Sequence, residues 1–353
     1  MDFESVATFL AQNGQPAFRS RQVEQAVTQG LAQSYDEITS LPLCLRAELT
    51  ESVPLLDLSV EEVQRAQDGT IKVRFSARDG YPVEAVAMHH RNRRTVCVSS
   101  QSGCPLACTF CATGDMGLGR NLTSGEILEQ VLVLARLLRD EDATVGNVVM
   151  MGMGEPFLNY DQVLAACRRI NDPAGFGLGA RSIAISTAGW VPGIDRLAEE
   201  PLQVKLALSL HAPNDTLRSE LMPVTRRFPL EQLMRACARY REQTRRRIFV
   251  EYLLLDGVND SDGLADELAD LLPASGYHVN LIAYNPTGSG FRGSPPARVE
   301  AFAHRLQRRG LAASYRRSHG QDIDAACGQL AVRGVRELRR ARRLPRHQPA
   351  NRK

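Results

Sequence analysis

The chain has 353 residues, of which 43% are hydrophobic, a formal charge of +3 and eight cysteines. That is enough apolar content for one large core with a small satellite domain, and no apolar run is long enough to span a bilayer. The opening, MDFESVATFL, has no basic n-region and no small-residue cleavage site, so a cytoplasmic protein is expected, with its cysteines reduced, metal-binding or catalytic rather than forming a disulfide framework.

Residues 1–50 read as short helices forming a small N-terminal domain. FRSRQVEQAV (Phe18–Val27) is amphipathic, SYDE (Ser34–Glu37) fits a capping box, and Pro42 fits a helix first turn after Ser40. Residues 51–92 change to alternating patterns: TIKVRFS and YPVEAVAM are strand-like, and the segment reads as a β-rich linker. From residue 93 to 330, β-branched runs alternate with helical ones. The expected strands are Thr95–Ser100, Asn147–Gly152, Ser182–Thr187, Val204–Leu210, Ile248–Leu255 and Val279–Asn285. Between them, Ile127, Leu128, Val131, Leu134, Ala135 and Leu138 recur at helical spacing, as do Leu230, Leu233, Met234, Cys237 and Tyr240, then Val299, Phe302, Ala303 and Leu306. Strand and helix in repeated alternation imply an α/β fold with a parallel sheet. Six such units are fewer than a closed eightfold barrel needs, so a partial (β/α)6 barrel is expected. Residues 331–353 lack apolar periodicity and read as a flexible tail; it carries nine Lys or Arg and one acid, Glu337, so the rest of the chain is net −5.

The unusual polar residues fall at strand C-termini, the functional face of a parallel barrel. Cys104, Cys108 and Cys111 follow the first strand, and GMGEP (Gly152–Pro156) follows the second. Ser186 and Thr187 close the third, Ser209 and His211 the fourth, Asn285 the sixth, and DGVND (Asp256–Asp260) follows the fifth.

Thiolates select zinc or iron–sulfur clusters. A structural zinc would need a fourth ligand at finger-like spacing; His89 and His90 sit across a strand, and no second Cys pair follows within reach. An iron–sulfur cluster also takes four ligands as a rule, so three thiolates leave one iron open. This spacing at the end of the first strand of a six-unit parallel barrel resembles the radical S-adenosylmethionine (SAM) superfamily. The resemblance implies a 4Fe-4S cluster on Cys104, Cys108 and Cys111, with SAM as the fourth ligand through its amino and carboxylate groups. GMGEP, with Gly154 and Glu155, resembles the superfamily's SAM-amino-group motif, and Ser186, Ser209, Leu210, His211 and Asn285 are the further expected SAM contacts.

Longer strings, among them GCPLACTFCATGDMGLGRNLTSGEI, MMGMGEPFLNYDQVL, LALSLHAPND, NLIAYNP and GQDIDAACGQL, are similar to the RlmN/Cfr family of RNA adenine methyltransferases, from about residue 18 to Leu330. The resemblance implies methylation of an adenine carbon, C2 in the RlmN branch and C8 in the Cfr branch. GEPFLNYD and EYLLLDGVND resemble the C2 branch, while CATGDMGL and AYNPT keep some similarity to the C8 branch. It also implies 23S ribosomal RNA and transfer RNA as substrates, an electron donor to the cluster, and two SAM molecules per turnover; a monomer is expected.

By that resemblance Cys327 carries the methyl group as S-methylcysteine, Glu84 accepts the ring proton, and Cys97 is the resolving thiol that forms a transient disulfide with Cys327. An adenine C–H carbon is too weak a nucleophile to attack a sulfonium methyl, so a radical route through a carried methyl makes chemical sense. Glu84 shares its strand face with Val86 and Met88; a carboxylate on an apolar face expects a raised pKa, which suits a general base. Cys44, Cys167 and Cys237 read as packing residues on apolar helix faces. Arg19 and Arg21, RNRRT (Arg91–Thr95), TRRRIF (Thr244–Phe249) and the basic tail are the expected phosphate contacts.

Overall fold

The computed structural model describes residues 2–90, 93–316 and 318–330. The basic tail, and with it the expectation of a flexible RNA-binding segment, lies outside the described residues.

Three helices open the chain: α1 (Phe3–Gln12), α2 (Phe18–Thr28) and α3 (Leu43–Ser52). Val23, Val27, Ile38, Leu41, Leu45 and Leu49 form their shared apolar core. Cys44 does not join it: the buried stripe of α3 runs through Leu45 and Leu49, and Cys44, one residue out of phase, is exposed. The capping box expected at SYDE does not form either. Tyr35–Glu37 is a single 3-10 turn with no cap bond from Ser34, and the Glu37 carboxylate instead accepts from the Gln33 N–H at 2.9 Å. Arg136 and Arg139 donate to the carbonyls of Leu31 and Gly30, both at 3.1 Å, and tie this helical unit to the rest of the chain.

β1 (Leu58–Arg65), β2 (Ile71–Ala77) and β3 (Pro82–His90) follow as an antiparallel meander. β3 pairs in turn with β4 (Arg93–Val98), so the meander continues the main sheet. A short antiparallel pair, β5 (Gln101–Gly103) and β6 (Leu118–Asn121), brackets the cysteine loop and the small helix α4 (Ala112–Met116). The chain then runs α5 (Ser124–Arg139), β7 (Val145–Met150), α6 (Tyr160–Asn171), β8 (Ile183–Thr187), α7 (Val191–Glu199), β9 (Lys205–Ser209), α8 (Asp215–Leu221), α9 (Leu230–Thr244), β10 (Ile248–Leu254), α10 (Asp262–Leu271), β11 (Tyr277–Ala283), α11 (Pro296–Arg308) and β12 (Ala313–Arg316).

Among the described residues the main sheet has ten strands in the order β1-β2-β3-β4-β7-β8-β9-β10-β11-β12. From β4 onward every pairing is parallel. The six expected β/α units are all present, and β12 adds a seventh parallel strand that sequence reading missed. SYR at Ser314–Arg316 is too short and too polar to register as a strand; it forms because β11 offers it an edge.

Alternation along the parallel strands divides two environments. Val96 and Val98, Ile183 and Ile185, Leu206 and Leu208, and Val250 and Tyr252 are fully buried under the helices, each such aliphatic contributing about 1.5–3 kcal/mol. Their neighbours Cys97, Ser186, Ser209 and Glu251 point to the opposite, inner face. The register therefore builds a polar row across the barrel interior: Ser209 pairs with Glu251, Glu251 with Asn280, and Asn280 with Ser314.

Candidate active site

The cysteine loop leaves β5 and is fixed at several points. The Cys104 N–H donates to the Gly117 carbonyl at 3.2 Å, the Thr109 N–H to Leu221 at 3.0 Å, and the Cys111 N–H to Cys108 at 3.1 Å. Gly103 is held at φ +76°, and a Cβ there would stand 1.9 Å from the Gly117 oxygen, so only glycine fits. Cys104, Cys108 and Cys111 are half-buried free thiols. Burial pushes Cys104 up to about 12, and it raises Cys108 and Cys111 as well. The three interact electrostatically, each neighbour's negative charge adding to the rise at Cys108. Neutral thiols are the stable form until a cationic metal core replaces their protons. Among the described residues no three His, Cys, Asp or Glu side chains converge on one ion. Three soft thiolates on one loop are the donor chemistry that an iron–sulfur cluster takes.

GMGEP lies against the end of β4. The Met153 carbonyl accepts from the Ser100 N–H at 2.9 Å, and the Met153 N–H donates to Ser99 Oγ at 2.8 Å. Gly154, at φ +103°, has no room for a Cβ, which would meet the Gln101 side chain at 2.6 Å. Glu155 is buried and already engaged: Oε2 accepts from the Ala188 N–H at 2.8 Å and Oε1 from the Phe157 N–H at 3.1 Å. Burial raises its pKa to about 7 against these bonds. Glu155 thus ties the β7 loop to the end of β8, a role the motif did not announce.

Ser186 and Ser209 face each other with their hydroxyls 3.5 Å apart. The buried Leu210 donates its N–H to the Glu251 carbonyl at 3.0 Å. His211 sits at φ +58°, and its Nδ1 accepts from the Leu253 N–H at 3.0 Å, which leaves Nε2 as the protonated nitrogen. Burial, with Arg218 nearby, lowers its pKa to about 3. Its ring stands edge-on to Phe110, beside Cys111, at 4.9 Å. Asn285 is fully buried; its Nδ2 donates to the Cys327 carbonyl at 3.3 Å and its Oδ1 accepts from Gln321 at 2.7 Å.

The Cys327 segment is pinned directly onto the cysteine loop. The Ala112 N–H donates to the Gly328 carbonyl at 2.9 Å, and Thr113 Oγ1 to the Leu330 carbonyl at 2.5 Å. Cys327 is exposed as a residue, yet the protein packed around its thiol, together with Cys111 and Glu251, raises its pKa to about 11. Cys97, on the inner face of β4 opposite Val86, packs with Met116, Met153, Ala325 and Leu330 in a small apolar cluster separate from the main core. Burial raises it to about 12, and the charge of Cys327 adds to the rise, so Cys97, packed against the segment that carries Cys327, lies within its electrostatic reach. Both are free. Glu84 is buried on the same strand face as Val86, with its Oε1 3.9 Å from Lys72 Nζ. Lys72 also reaches the Asp324 carbonyl at 3.4 Å, three residues from Cys327.

Three residues near these thiols escaped the sequence reading. Lys72, in TIKVRFS, is buried beside Glu84, while Arg74 two residues on pairs with Glu61 and Glu62 at the surface. Glu251 is a lone acid in IFVEYLLL, which was the available signal. Its Oε1 accepts from Asn280 Nδ2 at 2.8 Å and stands 3.5 Å from Arg316, and its Oε2 is buried with no partner among the described residues. Arg316 lies on the missed strand β12, and its charge lowers both Cys97 and Cys327 against the burial that raises them.

A partial parallel barrel with a three-thiol loop at the end of its first parallel strand, facing glycine-lined and polar strand ends, defines a radical SAM enzyme, and the sequence profile of the Radical SAM superfamily matches residues 98–270. The chain is 48% identical to a protein of Chloroflexus aurantiacus named probable dual-specificity RNA methyltransferase RlmN, over 91% of this chain and 88% of that one. It is 46% identical to the protein of the same name from Thermus thermophilus, over 87% of each. The crystal structure of a radical SAM methyltransferase from Sphaerobacter thermophilus superposes with a TM-score of 0.90 at 49% identity, covering 93% of this chain and 97% of that one. The chain belongs to the RlmN family, and it is a radical SAM RNA methyltransferase. Membership implies a 4Fe-4S cluster and SAM as cofactors and RNA as substrate. Among the described residues no helix is long and apolar enough to cross a membrane.

Proposed function

We propose that the enzyme methylates C2 of adenine in 23S ribosomal RNA and in transfer RNA, in the cytoplasm, through S-methyl-Cys327 and a covalent protein–RNA thioether, with two SAM molecules used per turnover. The observation that supports this reading is that the segment carrying Cys327 packs against Cys97 on one side and is hydrogen-bonded to the loop of Cys104, Cys108 and Cys111 on the other.

A cluster on Cys104, Cys108 and Cys111 would supply the electron that cleaves SAM to a deoxyadenosyl radical. Gly154, Glu155, Ser186, Ser209, Leu210, His211 and Asn285 are the residues that would hold SAM. The Cys327 thiolate takes a methyl group from one SAM, releasing S-adenosylhomocysteine. A hydrogen atom passes from the S-methyl group to the deoxyadenosyl radical, giving 5′-deoxyadenosine, and the carbon radical left behind adds to C2 of the adenine. The ring radical then gives up one electron to an external one-electron acceptor, and Glu84 takes the C2 proton. A neutral thioether remains between Cys327 and RNA. The Cys97 thiolate attacks the Cys327 sulfur; the S–C pair stays with the carbon, which takes a proton to become methyl. The resulting disulfide needs an external dithiol to reset it. Both thiols are held protonated by burial, so each must lose its proton before it acts. Lys72 and Arg316 are the cations beside Glu84 and Glu251.

The target adenine must be unpaired or flipped to reach a radical formed inside the barrel. Mass spectrometry of RNA digested after reaction tests the reading: 2-methyladenosine is expected, 8-methyladenosine would move the enzyme to the C8 branch, and unmethylated adenosine would overturn it.

A further inference from the structure

Arg218, on α8, is fully buried, and all its hydrogen bonds go to neutral acceptors. Its Nε donates to the Leu210 carbonyl at 3.0 Å and Nη1 to Thr225 Oγ1 at 2.8 Å. Nη2 donates to the carbonyls of Ala188 at 2.7 Å and Ser209 at 3.2 Å. No carboxylate lies within ion-pair distance of it among the described residues. A guanidinium stripped of water and given no counter-ion is costly, because neutral dipoles replace hydration only in part. The acid nearest in its field, Asp215, is exposed one turn away, with its Oδ1 accepting from the Leu230 N–H at 2.8 Å. Cys108 lies within electrostatic reach of Arg218, so a thiolate held there by a metal core would favour the cation. The connection is also mechanical, since the Leu221 carbonyl at the end of α8 holds the Thr109 N–H, next to Cys108, at 3.0 Å.

The missing anion is therefore one the chain does not carry as a carboxylate. Three thiolates outweigh the positive charge of an oxidised cluster core, and taking up one electron makes the whole site more negative still. We propose that Arg218 is the counter-charge of the cluster site: a buried cation that favours the reduced state of a cluster on Cys104, Cys108 and Cys111, while its hydrogen bonds fix the ends of β8 and β9 where SAM is held. The inference rests on the assignment of these three thiols to the cluster. The step is a one-electron reduction by an external low-potential donor, with no bond made or broken in the protein. Arg218 is a positioning residue, since it touches neither reacting carbon nor RNA.

The test is a redox titration, followed by electron paramagnetic resonance, of full-length reconstituted protein as wild type, Arg218→Lys, Arg218→Gln and Arg218→Met, with iron and sulfide measured on each. Removing the charge is expected to lower the ratio of reduced to oxidised cluster roughly tenfold at a fixed potential, about 59 mV for a one-electron couple. Arg218→Lys, which keeps the charge and loses most of the hydrogen bonds, is expected to shift by less than half of that. If only the charged variants hold iron, a required counter-charge is again the result. Neutral variants that hold iron at an unshifted potential would overturn the inference, as would a lysine variant that shifts or loses iron as badly as methionine. A wild-type protein that binds no iron would overturn the cluster assignment as well as this inference.

Discussion

The two rims of the barrel hold their polar groups in opposite ways. At the C-terminal rim, Glu155, His211, Arg218 and Asn285 are buried, and each is bonded to backbone from another loop or strand. At the N-terminal rim, Arg93, Lys205 and Arg247 are exposed. Desolvation and the Arg93 charge lower Lys205, and desolvation and the Arg247 charge lower His278, so these cations crowd one another. Of the two runs expected to meet RNA phosphate, the described part of RNRRT (Arg93–Thr95) opens β4 and TRRRIF leads into β10, so both lie at this second rim. A strand length, roughly 20 Å, separates them from the thiol loop. Fixed geometry marks the chemical rim; a dense run of arginines does not.

The comparison predicts unequal responses to substitution. The largest effect falls on the thiol loop. Cys104→Ala, Cys108→Ala or Cys111→Ala is expected to abolish both the cluster and deoxyadenosine formation, because two thiolates cannot hold the cube. Normal iron content in any of the three would break the assignment of that rim to cluster chemistry.

Next comes Cys97→Ala. Methylation of Cys327, radical formation and addition to the ring do not use Cys97, so the variant is expected to stall with RNA attached at Cys327, in amounts approaching one per enzyme. Adding Cys327→Ala should remove the band on a denaturing gel. Normal turnover, or inactivity with no attached RNA, would count against pairing these two thiols.

His211 tests whether the rim is held by buried bonds. Its pKa falls from 6.5 to about 3 on folding, so the folded state refuses a proton that the unfolded chain accepts. The stability tied to the neutral ring is fully present above the unfolded value and is lost as pH drops from 6.5 toward 3. Between pH 7.5 and 5.5 this amounts to about 1.4 kcal/mol. Urea denaturation of the cluster-free protein should show that loss, and His211→Asn should remove it; equal pH slopes for both proteins would contradict the bond to Leu253.

The smallest response belongs to the other rim. Lys205→Ala with Arg247→Ala should change stability by no more than about 0.5 kcal/mol and leave RNA-independent SAM cleavage unchanged. The salt dependence of RNA binding should also stay the same. A fall of about 1 in the log–log slope per substitution would instead make this rim a phosphate surface.

Much of the site was legible because its signals are local. Three cysteines in eight residues, GMGEP and the polar strand ends each announce themselves within one segment, and alternation located all six expected parallel strands. The residues that were missed act across the chain. Lys72 gains meaning only when β2 lies beside β3, and Glu251 and Arg316 only when β10 and β12 line one interior. Cys44 shows the reverse error, since a helix face that looked apolar was out of phase with the stripe that packs.

By itself, then, the sequence determined the alternating α/β order, the thiol loop and the residue types that a radical SAM methyltransferase requires, because helix and strand periods and metal-ligand spacing are written over a few consecutive residues. Only the tertiary structure decided that the Cys327 segment packs against Cys97, that β12 joins the sheet, that Glu155 and His211 bind backbone, and that Arg218 is buried with no carboxylate beside it among the described residues. Those outcomes depend on which strands lie side by side and how much water the packing excludes, and both belong to contacts between residues far apart in the chain.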